Sequence, residues 1–415
     1  MQVKTLLNQV WKHKSFVYAH VELDEAARTI RVRVRARKKS LGRCSGCERA
    51  WPAYDHLPER AFEFVPLWGL AVCFLYALRR VNCERCGIKV ERVPWAVGKG
   101  RLTTAMACYL AEWARDMSWK RVAERFKTSW YHVREAVEHV VEYGKANRVV
   151  RGVRALGVDE IAWSKGHKYL TLVYQIDASC RRLLWIGRER TEESLRGFFE
   201  EFGEGRTRGL RFICSDLWKP YLKVIREKAG HALHVLDRFH IMVNINKALD
   251  EVRRQEGRRL AEAGQAPLLK EARWCILKRV ENLTEKQAVR LKELLAMNLR
   301  TVKAYLMKED FQRFWEYRSP VWAKKFVQEW CARAVRSRME PMQKVAKTLR
   351  RHEELLLNWF RAKGEYSCGI VEGLNNKCKT SIKIAYGFKR VETLELVLYH
   401  RLGRLPVPHL THKFF

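Results

Sequence analysis

Between residues 155 and 237 short apolar runs alternate with amphipathic ones, and their order leaves few folds open. "ALGVDEIAW", "KYLTLVYQID" and "RRLLWIG" read as three strands, "TEESLRGFFEEF" as a helix and "LRFICSD" as a fourth strand. "WKPYLKVIREKAG" then reads as a second helix and "HALHVLD" as a fifth strand. The flanks differ. Residues 1 to 100 alternate in short β-like pieces such as "RTIRVRVRAR", with Ile30, Val32 and Val34 on one side and arginines on the other. Residues 102 to 145 take a helical period, with Leu102, Met106, Tyr109, Leu110, Trp113 and Met117 in one stripe. From about 240 to 365 strands give way to long basic amphipathic helices, one opened by a Thr284–Gln287 capping box. Helical character returns around Glu372 and runs to about Arg404. No internal repeat or low-complexity linker is visible. The expected class is α/β and multidomain.

Charge narrows the partners. The 415-residue chain has 81 Lys and Arg against 46 Asp and Glu, a formal charge of +35. Self-repulsion of that size is tolerated when a polyanion neutralises it, which points to nucleic acid before an anionic membrane. The longest apolar run, "FVPLWGLAVCFLYAL" at 64 to 78, falls short of the ~20 residues a spanning helix needs. It contains Pro66 and Gly69 and reads as buried strand or hairpin. No secretory signal is visible at the N-terminus, so a cytosolic compartment is expected, where the 12 cysteines are metal ligands or buried thiols rather than disulfides. No GxxxxGK[ST] occurs, which argues against nucleotide-driven motor work.

Four cysteines form a pattern. "RCSGC" and "NCERC" place Cys44 with Cys47 and Cys83 with Cys86. Each CxxC presents two thiolates from one knuckle, and two knuckles complete a tetrahedral structural zinc site. The alternative is two unrelated reduced pairs, and His56 is a fifth candidate ligand. After this module, "SWKRVAERFKTSWYHVREAVEHVVEYG" reads as helix, short turn, helix. Val122, Ala123 and Phe126 would pack on Trp130, Val133, Val137 and Val140. Tyr131, His132, Arg134 and Glu135 would then face outward where a recognition helix meets DNA. An ordinary helical hairpin with a solvated face is the competing reading.

Three carboxylates stand out by context. Asp159 ends the run "ALGVDE", Asp216 ends "RFICSD", and Glu372 opens the basic stretch "VEGLNNKCKTSIKIAYGFKR". The strand and helix order is that of a ribonuclease-H-like fold, in which the first and fourth strands are neighbours. That would set Asp159 beside Asp216, with Glu372 laid against them by a later helix. Phosphodiester transfer needs two divalent metals ~4 Å apart, and Mg2+ or Mn2+ held by a few carboxylates fits. Asn375, Asn376 and Lys379 fall three, four and seven positions after Glu372 on nearly one helix face. With Lys383 they would hold the DNA backbone beside the metals. Against this, acids at strand ends often cap helices, and 46 acids give many chance triples. Asp237, at the end of the fifth strand, is an alternative ligand to Asp216.

These motifs resemble the insertion-sequence transposases of the ISL group, a bacterial family with a DDE-type catalytic domain. The matching stretches are "GVDEIAW", "SDLWKPYLKVI", "VLDRFHIMVNINKALDEVRR", "FWEYRS" and "VEGLNNKCKTSIKIAYGFKR", and the likeness covers nearly the whole chain. The resemblance implies a ribonuclease-H-like core interrupted by an all-helical insertion, behind a β-rich zinc module and a helix-turn-helix. The corresponding boundaries are 1–100 for the zinc module, 101–150 for the helix-turn-helix, 151–239 and 366–415 for the two parts of the core, and 240–365 for the insertion. It implies catalysis by Asp159, Asp216 and Glu372, binding of terminal inverted repeats and target DNA, and a homodimer at the bacterial nucleoid. It favours a supporting role for Asp237, with Arg238 and His240 near DNA. A zinc and helix-turn-helix repressor with a non-catalytic core is the alternative function.

Overall fold

The computed structural model describes residues 2–96, 100–164, 166–362, 365 and 369–408. The chain divides into two units, Met1–Val149 with Ser381–Phe415, and Val150–Thr380.

The first unit opens on helix α1 (Val3–Val10), where the sequence pattern suggests only strand. Strands β1 (Phe16–Asp24) and β2 (Thr29–Ala36) follow, then the short pair β3 (Gly42–Arg43) and β4 (Ala50–Trp51), then β5 (Ala53–Leu67), β6 (Leu70–Cys83) and β7 (Gly87–Val90). The main sheet runs β1-β2-β6-β5, with β7 also paired to β6. Ile30, Val32 and Val34 are buried while Arg31, Arg33 and Arg35 are exposed, as the two-residue pleat of a half-buried strand requires. The apolar run at 64 to 78 forms the β5–β6 hairpin. Its turn residues Trp68 and Gly69 both take positive φ, 51° and 77°, the combination that suits a two-residue hairpin. Phe16, Phe62, Phe74 and Tyr76 pack edge-on around buried Trp95 to make the core. Helices α2 (Thr104–Asp116), α3 (Trp119–Arg125) and α4 (Trp130–Asn147) complete this part, each N-capped by a Thr or Ser hydroxyl.

The second unit holds a five-stranded mixed sheet. Strands β8 (Ala155–Ser164), β9 (Lys168–Asp177) and β10 (Cys180–Arg188) come first, then α5 (Glu192–Phe202), α6 (Glu204–Arg208), β11 (Phe212–Ser215), α7 (Lys219–Ala229) and β12 (Leu233–Leu236). The sheet order is β10-β9-β8-β11-β12. β8 pairs antiparallel with β9 and parallel with β11, so the first and fourth strands of this region are neighbours, in agreement with the order of elements in the sequence. Leu156, Val158 and Val173 face Leu195, Phe198 and Phe199 of α5 and Tyr221, Val224 and Ile225 of α7 in one core cluster. By strand alternation Gly157 and Asp159 point to the opposite face.

From α8 (Arg238–Glu262) onward the unit is helical. α9 (Arg273–Leu277), α10 (Glu285–Leu295), α11 (Arg300–Gln312), α12 (Pro320–Arg336), α13 (Glu340–Arg351) and α14 (Glu353–Arg361) enclose an aromatic core around Phe311, Phe314 and Trp330. The Thr284–Gln287 capping box is formed. α15 (Gly369–Ile384) lies against the free face of the sheet, its residues up to Thr380 belonging to this unit. A Cβ on Gly157 would meet Val371 Cγ2 at 2.3 Å, so only glycine lets this helix sit so close. The final helix α16 (Val391–Leu402) packs on α4 and belongs to the first unit, whereas the expected boundaries join all of 366–415 to the Glu372 segment. Among the described residues no helix is long and apolar enough to cross a membrane.

Candidate active site

Asp159 lies in the middle of β8 and is held at both oxygens. Its Oδ1 accepts the Glu160 backbone N–H at 2.7 Å, and its Oδ2 accepts Asn375 Nδ2 at 2.6 Å. The Asn375 Oδ1 in turn accepts the Tyr174 hydroxyl at 2.6 Å. Tyr174 sits on β9, one strand over and on the same face, so the sheet's pleat and register place this chain of groups. Asp216 follows β11 and is buried. Its Oδ1 accepts the Trp218 backbone N–H at 3.0 Å, and its Oδ2 accepts Arg190 Nη2 at 3.2 Å. Arg190 also pairs with Glu160 at 2.9 Å and lies over the Trp218 ring, 3.9 Å from its centroid.

Asp237 ends β12 and caps α8. Its Oδ1 accepts the Phe239 N–H at 2.8 Å and its Oδ2 pairs with His240 Nδ1 at 3.0 Å. Glu372 is exposed on the first turn of α15. It lines a cleft of about 360 Å³ together with Asp237, Arg238, Phe239 and Trp359. The carboxylate oxygens of Asp159, Asp216 and Glu372 are not all within 4.8 Å of one another.

The electrostatics identify one acidic centre. Burial raises Asp159 to about 6, with the Asp216 and Asp237 charges adding to it and the Glu160 N–H and His240 opposing it. Burial raises Glu160 to about 7, with Asp216 adding and Arg190 opposing. Asp216 is also raised, mainly by burial. His240 is raised to about 9 by its hydrogen bond to Asp237, and it also feels Asp159 and Asp216. Crowded, dehydrated carboxylates, with a His and an Arg opposing their charge, are the hard-oxygen groups a divalent cation favours, although among the described residues no three of them bring ligand atoms within 4.8 Å of one another.

The structure thus brings together Asp159, Asp216, Asp237 and His240, and places Glu372 on the lining of the same cleft as Asp237. It departs from the sequence reading at Asn375. That side chain is expected on the DNA backbone, but it is 3% exposed and its amide is spent on Asp159 and Tyr174. Helix periodicity puts it on the face of Glu372 correctly, but that face turns into the sheet at this position. Asn376, Lys379 and Lys383 remain exposed. Arg238 lies over Trp315 and Trp359 at about 6 Å. Sequence reasoning missed Glu160, Arg190, Tyr174 and Trp218. Glu160 is in view as the neighbour of Asp159, but Arg190, in a loop after β10, carries no local signal.

In the first unit the ligand atoms of Cys44, Cys47, Cys83 and Cys86 all lie within 4.8 Å of one another. The Sγ atoms of Cys47 and Cys83 are 3.5 Å apart, and the Gly46 N–H points at Cys44 Sγ at 3.4 Å. Burial opposes ionisation of Cys83, yet the N–H groups of Cys86 and Arg85 and the Cys47 and Cys44 thiols together outweigh it and hold the thiol down to about 7. Burial and the neighbouring sulfurs push Cys86 up to about 12. Four sulfurs that cannot all carry charge alone fit a tetrahedral cation. His56 is not among these clustered ligands.

The helix-turn-helix segment differs in detail from expectation. Val122, Ala123, Val133, Val137 and Val140 are buried as expected, but Trp130 is 43% exposed and lies by Trp119 and Tyr131. Tyr131 is 65% exposed. Arg134 pairs with Glu138 at 3.2 Å, and His132 Nδ1 is bonded to Thr128 Oγ1 at 2.9 Å.

Over 372 residues the chain is 27% identical to the transposase for insertion sequence element IS1001 of Bordetella parapertussis, covering 89% of this chain and 90% of that one. Over 400 residues it is 29% identical to the transposase for insertion sequence element IS1557 of Mycobacterium tuberculosis, covering 90% of this chain and 89% of that one. Among solved structures, the Drosophila P element transposase strand transfer complex is similar over 72% of this chain and 91% of that one, at 11% identity and a TM-score of 0.41, too loose a likeness to carry the fold. Residues 156–398 match the ISL3-type transposase family, and the chain belongs to that family.

Proposed function

We propose that this transposase cuts DNA at the terminal inverted repeats of a bacterial insertion sequence and joins the freed 3′-hydroxyl to target DNA, using a ribonuclease-H-like core. The observation that carries this reading is the convergence of Asp159, on β8, with Asp216 and Asp237, just past the ends of the neighbouring β11 and β12, in a sheet of order 3-2-1-4-5. Asp159, Asp216 and Glu372 would hold two Mg2+ or Mn2+ ions, with Glu372 contributed from α15. Bound there, such ions activate the attacking oxygen and stabilise the leaving one. The chain's own groups do the positioning. Asn375 aims Asp159, Arg190 aims Asp216, and Asp237 fixes His240 beside both. Exposed Asn376 and Lys379 hold substrate phosphates outside the carboxylates, and exposed Lys383 binds DNA from the first unit.

The cluster of four cysteines would bind one structural zinc and stiffen the module that recognises element ends. Tyr131 is the side chain on α4 best placed to meet bases, with His132 and Arg134 reaching phosphates or bases once their present partners yield. We assign the assembly on DNA as a homodimer acting at the nucleoid.

The test is a nicking assay on end DNA with magnesium. Asp159→Asn, Asp216→Asn and Glu372→Gln each remove ligand charge at little change in volume. Each should abolish cleavage while end binding persists. A variant cleaving near the wild-type rate removes that residue from the ligand set. A wild-type protein that binds ends tightly but never nicks them would favour the repressor-like alternative.

A further inference from the structure

A second concavity of the second unit shares no lining residue with the acidic cleft. It is a groove of about 950 Å³ with α7 along one side and the α13–α14 junction and α14 along the other. Six Lys and Arg line it, and no Asp or Glu does. Lys219, Lys223 and Arg226 follow one face of α7, Arg351 and Arg361 stand on the other wall, and Arg211 lies at the end nearest the start of β11. Lys223 pairs with Glu192 and Arg361 with Glu354. Arg211, Lys219, Arg226 and Arg351 are exposed and have no carboxylate partner among the described residues. Half-buried Leu222 and Leu355 and buried Ile225 form part of an apolar floor.

The direction of this groove matters. Lys219 opens α7 three residues beyond Asp216, and the seven-residue step from Lys219 to Arg226 carries the basic face ~10 Å along the helix. That length matches about three phosphates of one DNA strand at ~3.4 Å each along the axis. His352, also on the lining, feels charge from both walls: burial together with the Arg351 and Lys219 charges pushes it below its ordinary value. Like charges gathered in a concave site repel one another unless an anion shares the site.

We propose that the groove between α7 and α14 holds the phosphate backbone of the DNA continuing away from the reacting phosphodiester, without reading its sequence. This rests on the nuclease reading of the acidic centre. Backbone gripping predicts a salt signature. Each lost phosphate contact lowers the slope of log affinity against log salt by ~0.9 on duplex DNA.

The experiment compares Arg226→Ala/Arg351→Ala with Lys270→Ala/Lys286→Ala in the full chain. The second pair is exposed, lies outside the groove and removes the same charge. Binding to an element-end duplex and to a random duplex is measured across salt concentrations without added magnesium, with melting curves to confirm folding. The groove pair should lose ~1.8 of the slope on both duplexes, and the control pair much less. An unchanged slope overturns the proposal, as does an equal loss in the control pair, which would make it a net-charge effect. A loss confined to the end duplex also overturns it, because that is base reading. Wild-type nicking with magnesium is scored separately. Its absence would sink the nuclease reading whatever the slopes show.

Discussion

Asn375 Nδ2 donates to Asp159 Oδ2 at 2.6 Å across 216 residues of sequence. The same amide accepts from the Tyr174 hydroxyl at 2.6 Å, so its rotation is fixed by two partners on two strands. Tyr174 also lies 3.3 Å from Cys378 Sγ, one turn along α15. A carboxylate that must present a chosen oxygen to a cation gains from such a clamp, because the rotamer is set before the cation arrives. The clamp also links β8, β9 and α15, which are the elements that position Asp159 and Glu372.

Asn375→Ala should therefore act on chemistry more than on folding. We expect end cleavage to fall ~10–100-fold, with a higher magnesium concentration needed for half-maximal rate. Tyr174→Phe, which removes one hydroxyl and leaves the amide bonded to Asp159, should show a smaller loss in the same direction. Nicking rates against magnesium concentration, with melting temperatures as a folding control, check both. Wild-type magnesium dependence in Asn375→Ala would reduce this contact to packing.

Gly157 and Val371 define how closely α15 approaches β8. In Gly157→Ala the new Cβ would fall 2.3 Å from Val371 Cγ2, and helix or side chain must shift. Overpacking of this kind costs ~1–3 kcal/mol. The shift also drags Asn375 from Asp159, so cleavage should fall further than stability alone explains. Adding Val371→Ala should restore much of both, giving a coupling energy in the double-mutant cycle. Strict additivity of the two changes in chemical denaturation would show that they do not meet.

Much of this arrangement is legible in the sequence because it is local. The strands and helices of 155 to 237 announce themselves by period, and the capping box at Thr284 by residue type. The two CxxC knuckles need only spacing. What stays hidden is long-range. The buried acids Glu91 and Glu256 look no different in sequence from Asp216. Glu91 is spent on Arg79, and Glu256 on the N-terminus of α11 through Arg300 and Thr301. Asp237 shows the ambiguity in one residue, since it caps a helix and also faces the cluster. Asn375 escapes a sequence reading because helix periodicity fixes a face but not what covers it.

Zinc should be measurable directly. Freshly purified, reduced protein is expected to hold about one zinc per chain through its four clustered thiolates. Cys44→Ser or Cys86→Ser should lower the melting transition of the first unit and weaken end binding. The transition of residues 150–380 should stay in place, because their core clusters draw on no residue outside that unit. Metal-free protein by elemental analysis would rule this out.

Proton linkage gives a test that needs no DNA. Burial raises Asp159 from 3.8 to about 6 and Glu160 from 4.5 to about 7. Unfolded carboxyls ionise near the ordinary values, so between roughly pH 4 and pH 7 the folded chain binds more protons than the unfolded one. The stability from these two groups is therefore complete below their ordinary values and is lost as pH rises through about 6 and 7. For Asp159 alone that loss is of order 3 kcal/mol. A divalent cation substitutes for the missing protons. Magnesium should then raise the melting temperature little near pH ~5, where protons already neutralise the site, and several degrees near pH ~8. Asp159→Asn, which cannot ionise, should flatten the metal-free profile and shrink the magnesium effect. Equal magnesium stabilisation at every pH, or an unaltered profile in Asp159→Asn, would mean that the buried carboxylates of this centre are not where the cation binds.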